Sequence, residues 1–144
     1  MKTLRDDVHL KILAYSKKGD SLLEQGFVKD AVFEYVRALR LLPKPIHEWE
    51  AATWLFSALG DAYWLLKDYE RAYKSFQSAL RCPDGIGNPF IHLRVGQLHY
   101  EFGNSEKAVD DLLRAYMGAG KAIFEGEDPK YFHLIEDLIN NVKH

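Results

Sequence analysis

Cysteines, long apolar runs and an N-terminal apolar stretch are all scarce or missing in this sequence. Cys82 is the only cysteine among 144 residues, so an internal disulfide is excluded. No run of about 18 apolar residues occurs, as a membrane-spanning helix would need. Residues 1–7 turn acidic where a signal peptide would need apolar side chains. We therefore expect a cytoplasmic protein without a membrane partner.

The sequence also lacks an excess of charge of either sign. Its 19 basic and 21 acidic residues give a net charge of −2, and no basic block or Arg-rich helix is present. We expect no nucleic-acid partner, because such proteins present clustered positive charge to the phosphates. A hydrophobic content of 47% over this length is enough for the core of about one domain.

What the sequence does contain is one spacing of small residues that occurs three times. In each copy a glycine is followed after 12 residues by an alanine, and after 7 more by a second alanine. Bulky residues stand four before each glycine, three after it, and midway between the alanines. These offsets keep each set on one face of a helix, so every copy predicts a helical hairpin. The three sets are Gly19, Ala31 and Ala38; Gly60, Ala72 and Ala79; and Gly96, Ala108 and Ala115.

The small residues predict how the two helices of a hairpin pack. We expect each glycine to meet the first alanine of its copy, so that two backbones approach closely while bulky side chains fill the space beside them. The second alanine is expected to admit the next hairpin.

The second copy resembles the tetratricopeptide repeat family most fully. The matching residues are Phe56, Leu59, Gly60, Tyr63, Ala72, Phe76, Ala79 and Pro83. The resemblance covers about residues 12 to 122. It implies an all-α, right-handed α-solenoid of three helical hairpins in a single domain over 1–144, with repeats at about 12–45, 53–86 and 89–122. Asp128 and Pro129 then predict the start of a C-terminal capping helix over about 129–142.

The spacing between the copies departs from the family pattern. The glycines are 41 and then 36 residues apart, whereas the family period is about 34. Seven extra residues, Ile46 to Ala52, precede the second repeat, and we expect them to lengthen its first helix.

The resemblance implies that the first helix of each repeat lines a concave groove. Residues on the outward side of these helices are the candidate partner-binding set. We expect a protein or peptide partner with apolar and basic residues, because the set combines aromatic anchors with aspartates. The set is Leu13, Ser16, Asp20 and Leu23; Trp54, Ser57, Asp61 and Trp64; and Phe90, Leu93, Arg94, Gln97 and Tyr100.

Two alternatives bear on this groove. Trp54 and Trp64 could instead pack inward, against the terminal helix or the residues around Trp49.

Family members that hold acidic chaperone tails use a clamp of lysine, asparagine and arginine, which this sequence lacks at the matching positions. Asp20 and Asp61 would repel an acidic tail there, so co-chaperone activity is not expected.

Catalytic and cofactor motifs are not apparent, so we expect no enzyme, no metal and no cofactor. His92 and His99 are seven residues apart and could reach one side of a helix, but both occupy bulky packing positions of the repeat. No carboxylate at helical ligand spacing completes a site with them.

Three functions therefore stand at this point. The first is a non-enzymatic binding module that holds a protein partner; the second is a secretion-type chaperone that shelters an apolar segment of its client. The third is a ligand-binding or enzymatic protein that uses His92 and His99. Residues 115–132 also resemble the tail of small bacterial tetratricopeptide proteins associated with polymorphic toxins, which implies an immunity protein as a narrower form of the first. The sequence leaves the oligomeric state open.

Overall fold

The chain folds into α-helices joined by short turns. The structure is a computed structural model that describes residues 3–142, with side chains to residue 140. No strand occurs in this part of the chain, and none of its helices has the length and apolar content needed to cross a bilayer. The all-α prediction is confirmed. The helices are α1 (Asp6–Glu24), α2 (Val28–Arg40), α3 (Glu50–Leu65), α4 (Tyr69–Leu80), α5 (Pro89–Glu101), α6 (Ser105–Ala119) and α7 (Pro129–Val142).

The helices form two compact units. The first ends at Gly85 and holds the hairpins α1–α2 and α3–α4, which meet mainly through α2 and α3. The second begins at Ile86 and holds the hairpin α5–α6, with α7 packed on α6. The three predicted hairpins are confirmed, whereas a single domain over 1–144 stays a prediction.

Side chains at the helix starts show why the helices begin where they do. Asp68 and Asn104 accept hydrogen bonds from backbone N–H groups in the first turns of α4 and α6. Asp128 does the same for Lys130 at 3.0 Å, directly before Pro129 opens α7. Each cap satisfies a backbone donor that has no partner within the helix. The predicted start of the C-terminal helix is thus confirmed.

The glycines of the repeated frame lie under bulky side chains. A Cβ atom built on Gly60 would be 2.7 Å from the ring of Phe76, and one on Gly19 would be 2.7 Å from the ring of Tyr35. A Cβ atom on Gly96 would lie 2.8 Å from Leu112. The nearest atoms to each glycine thus belong to the residue midway between the alanines. Bulky side chains therefore fill the space beside each glycine, as expected, while the close approach of the glycine to the first alanine stays a prediction.

Only the last three of the seven extra residues, Glu50 to Ala52, lengthen the first helix of the second repeat. Ile46–Glu48 is a short 3-10 helix, Trp49 is extended, and α3 begins only at Glu50. Pro43 and Pro45 keep α2 from continuing into this segment, because proline cannot donate a backbone hydrogen bond and favours extended backbone before it. The Trp49 indole N–H donates to the carbonyl of Pro43 at 2.7 Å and fixes the loop.

Candidate partner-binding surface

In the first unit, the predicted residues of α1 differ in exposure. Asp20 is exposed, while Leu13 and Leu23 are half-buried. Ser16 is buried, with 8% of its surface exposed, so it does not belong to an open surface. Of the predicted residues on α1, Asp20 is therefore accessible, and Leu13 and Leu23 are partly accessible before and after it along the helix.

Asp20 and Asp61 act on the same buried tyrosine. The Tyr35 hydroxyl donates a hydrogen bond to Asp20 Oδ1 at 2.5 Å. Burial raises the pKa of Tyr35 well above its usual range, and the hydrogen bond to Asp20 and the negative charges of Asp20 and Asp61 raise it further. Both predicted aspartates, one on α1 and one on α3, thus contribute negative charge to one place.

The helix dipole does not account for the positions of these two aspartates. Asp20 and Asp61 lie in the C-terminal halves of α1 and α3, and the last turns of these helices contain no basic residue. The C-terminal end of a helix carries a partial negative charge that favours cations. Neither aspartate is therefore explained by the helix dipole, which would favour acidic residues at the other end.

The two tryptophans of α3 have different surroundings. Trp54 is 39% exposed. Trp64 is half-buried and packs on Tyr69 at the start of α4, with 5.1 Å between ring centroids. Between them, the Ser57 hydroxyl donates to the Thr53 carbonyl of its own helix at 2.8 Å. Trp54 is thus available to a partner, whereas Trp64 is partly used in the packing of α3 on α4.

Trp54 also lines a cavity of about 800 Å³ beside the start of α1. Trp49 forms another part of its wall, and acidic side chains stand at Asp6, Glu48 and Glu50. Trp54 therefore faces the residues around Trp49 across an open cavity and is not packed away among them. The sequence did not reveal that the start of α1 lines this cavity. Asp6 and Glu50 are 44 positions apart in the chain, and no sequence pattern connects them.

In the second unit, the predicted residues of α5 are occupied by the chain's own C-terminal segment. Arg94 Nη1 donates to Glu127 Oε1 at 2.7 Å and to Gln97 Oε1 at 2.8 Å. Gln97 Nε2 in turn donates to Glu127 Oε1 at 2.8 Å, and the Gln97 side chain is completely buried. The three side chains form a closed polar cluster, which we call the Glu127 cluster.

Aromatic contacts extend this cover to the end of α5. Tyr100 packs edge-on against Tyr131 of α7, with 5.5 Å between ring centroids, and the Lys130 ammonium lies 5.2 Å from the Tyr100 centroid. The Tyr131 hydroxyl donates to Glu101 at 2.6 Å. The prediction that α5 presents an open groove therefore needs correction for Gln97, Arg94 and Tyr100, because the terminal segment lies on them.

The remaining two α5 residues add little open surface. Leu93 is buried, with 1% of its surface exposed. Phe90 is half-buried, with the Arg94 guanidinium 5.0 Å from its ring centroid. Leu93 is thus a core residue and not part of an open surface.

His92 and His99 share a carboxylate that sequence spacing did not reveal. Asp111 of α6 lies 3.1 Å from His92 Nδ1 and 3.8 Å from His99 Nε2. The other ring nitrogen of His92 contacts the Ile86 carbonyl at 2.6 Å, so both nitrogens of His92 are used to hold the fold. Burial lowers the pKa of His99, although the nearby Asp111 opposes this. Within residues 3–140, no group of three or more ligand side chains could hold a metal ion.

Comparisons with known proteins agree with this architecture. A sequence model described as tetratricopeptide repeat matches residues 55–81, while no curated protein matches the chain significantly. The first TPR of Spaghetti (RPAP3), solved with an HSP90 peptide, is 16% identical with a TM-score of 0.67, over 94% of this chain and 95% of that one.

A second solved structure is similar over nearly its whole length. PcrH from Pseudomonas aeruginosa is 18% identical with a TM-score of 0.68, over 96% of each chain. PcrH in complex with the chaperone binding region of PopB is 16% identical with a TM-score of 0.68, over 93% of this chain and 99% of that one. Likeness at this level of identity shows a shared fold. The middle hairpin thus matches the tetratricopeptide repeat model, and the chain shares the fold of these solved tetratricopeptide repeat structures.

Proposed function

We propose that the chain binds a partner protein through a segment that carries both basic and apolar residues. The site is the α1/α3 face of the first unit, defined by Leu13, Asp20, Leu23, Trp54 and Asp61. The observation that carries the proposal is the negative charge that Asp20 and Asp61 both bring to Tyr35, which favours a basic side chain of a partner. Trp54 supplies an exposed aromatic anchor on the same helix as Asp61.

The solved structures of similar fold support binding as the activity. One of them holds a peptide and another holds a region of its client protein. Their partners do not transfer to this chain, because the α1/α3 face is acidic and the matching α5 surface is covered by Glu127 and Tyr131. We therefore propose a short recognition surface within the first unit.

The test requires a purified partner. Affinity capture with mass spectrometry identifies candidates, and isothermal titration then compares the unaltered chain with Asp20→Asn/Asp61→Asn and with Trp54→Ala. We expect at least about tenfold weaker binding in each case, as the loss of a charge pair or an aromatic anchor gives. Glu70→Gln is the control, because this carboxylate of α4 is exposed and pairs with Lys74, away from the α1/α3 face. Unchanged affinity in both test variants would refute the proposal.

A chaperone for an exported client is the second candidate, favoured by the likeness to PcrH bound to a region of PopB. This function predicts that the client segment aggregates alone and stays dispersed when co-expressed with the chain in the cytoplasm. Toxin neutralisation is a narrower form of the first proposal. It predicts that co-expression of the chain restores growth to cells that produce the toxin domain, and that Asp20→Asn/Asp61→Asn does not.

A further inference from the structure

A second open surface of the first unit lies between α2 and the turn that joins α3 to α4. It encloses a cavity of about 720 Å³, which we call the α2 groove. Val32, Phe33 and Val36 of α2 form one wall, and Tyr63 and Leu66 form the other. Phe33 is 67% exposed and Leu66 is 36% exposed. The groove therefore presents a continuous apolar surface that the described chain leaves uncovered.

Positive charge surrounds this apolar surface. Lys29, Arg37, Arg40 and Arg71 line the groove, with Asp68 as the one acidic residue of its lining and Glu34 beside it 3.7 Å from Arg37. Asp68 already pairs with Arg71 at 2.9 Å. Lys29 and Arg40 form no ion pair within the described residues. Because the whole chain has a net charge of −2, this concentration of cations is local.

The order of these residues along α2 sets the geometry of a ligand. Lys29, Val32, Phe33, Val36 and Arg40 follow the three- and four-residue spacing that keeps side chains on one helical face. Lys29 and Arg40 are 11 residues apart, or about 16 Å along the helix. The stripe is thus a cation, an apolar centre and a second cation.

We propose that the α2 groove binds an acidic peptide segment of a partner protein, with carboxylates at both ends and apolar side chains between them. The carboxylates neutralise Lys29 and Arg40, and the apolar side chains cover Phe33 and fill the cavity against Tyr63 and Leu66. Charge complementarity decides the occupant, since a basic segment would be repelled at both ends. This surface lies apart from the acidic α1/α3 face and takes a ligand of opposite charge, so the inference goes beyond the proposed function.

The shape of the groove favours a segment over an anionic membrane. A peptide can place side chains in a cavity with two walls, whereas a bilayer surface would rest on the rims. The α2 groove also has helical walls on elements that pack tightly together, so it is formed before a ligand arrives.

The test uses a designed peptide of about 14 residues, which as a helix spans the distance from Lys29 to Arg40. It carries glutamates at both ends and leucine, isoleucine and phenylalanine at helical spacing between them. A second peptide has lysine at every glutamate position. Binding is followed by fluorescence anisotropy of the labelled peptides, and amide chemical shifts in NMR spectra identify the surface. We expect saturable binding of the acidic peptide only, with shifts around Phe33.

Matched variants distinguish specific binding in the α2 groove from unspecific attraction between the acidic peptide and positive charges elsewhere on the chain. Lys29→Glu/Arg40→Glu should weaken binding of the acidic peptide at least tenfold, and Phe33→Ala should also weaken it. Lys11→Glu/Lys44→Glu makes the same change in net charge at exposed sites outside the groove and should bind normally. Asp20→Asn/Asp61→Asn should bind normally as well, which keeps this test independent of the α1/α3 face.

Three results would overturn the proposal. One is equal weakening by the two charge-reversal pairs, which would indicate unspecific attraction. Another is no saturable binding of the acidic peptide at its highest soluble concentration. The third is binding by the groove residues to phosphatidylserine vesicles but not to the peptide, which would assign the surface to a membrane.

Discussion

Removing the Glu127 carboxylate should destabilise the second unit much more than removing a carboxylate two residues earlier. Glu127 accepts hydrogen bonds from Arg94 and Gln97, and the side chains of Arg94 and Glu127 are only 12% and 20% exposed. In Glu127→Ala, Arg94 loses its ion pair with Glu127, and the buried Gln97 amide loses its hydrogen bond to the same carboxylate. In Glu125→Ala an exposed side chain is lost with the same change in charge.

The size of the effect follows from the burial of this cluster. Breaking a buried ion pair by removing one partner costs about 3–5 kcal/mol, and leaving a buried amide donor unsatisfied costs about 1–3 kcal/mol. The two costs are not additive, because both describe the loss of the same carboxylate. Glu127 is also partly exposed, so water can replace some of the lost hydrogen bonds. We expect about 3 kcal/mol for Glu127→Ala, against less than about 0.5 kcal/mol for Glu125→Ala.

Urea denaturation followed by circular dichroism measures the stability of both variants. Hydrogen exchange then locates the change, because residues 121–131 should exchange faster in Glu127→Ala while α1 to α4 exchange as before. Equal stability of the Glu127 and Glu125 variants would refute the reasoning. Unchanged exchange over residues 121–131 would show that Glu127 does not hold the terminal segment on α5.

Two further predictions concern packing and pH. Gly60→Ala should lower the free energy of unfolding by about 1 kcal/mol. Overpacking against Phe76 costs about 1–3 kcal/mol, and the higher helix propensity of alanine returns about 1 kcal/mol. Gly87→Ala is the control, because the space around Gly87 is open, and it should have almost no effect in the same urea titrations. Tyr131→Phe should destabilise the chain by about 1–2 kcal/mol at neutral pH. Burial would raise the pKa of Glu101, but hydrogen bonds from Tyr131 and Lys130 lower it below its ordinary 4.5. The stabilisation by the Tyr131–Glu101 hydrogen bond is therefore present above pH 4.5 and is lost as pH falls through the lower folded-state pKa. The two melting curves should therefore converge in acid, and a difference that persists there would contradict this assignment.

The repeat pattern predicted the hairpins well because it reports local geometry. The glycine and alanine spacing identified which residues share a helical face, and the proline and aspartate before α7 identified its start. The spacing alone did not show which side chain covers each glycine. A spacing of 12 residues aligns Gly60 with Ala72, but the Phe76 ring is long enough to reach the glycine from one turn further along α4.

The candidate surface was less predictable, because it depends on which residues the rest of the chain covers. The α5 positions follow the same spacing as those of α1 and α3, yet Gln97 is buried and Arg94 is bound by Glu127. Glu127 is 30 residues from Gln97, in a loop whose acidic residues are ordinary in solvent. Asp111 is likewise brought to His92 only by the packing of α6 on α5.

The most direct test of the proposed binding is the affinity of Asp20→Asn/Asp61→Asn for the purified partner at low and high salt. If the aspartates beside Tyr35 receive a basic side chain, this variant should bind at least about tenfold more weakly than Glu70→Gln at low salt, and the difference should shrink as salt screens the charges. Equal affinities of the two variants at low salt would contradict the claim that the α1/α3 face is the binding surface.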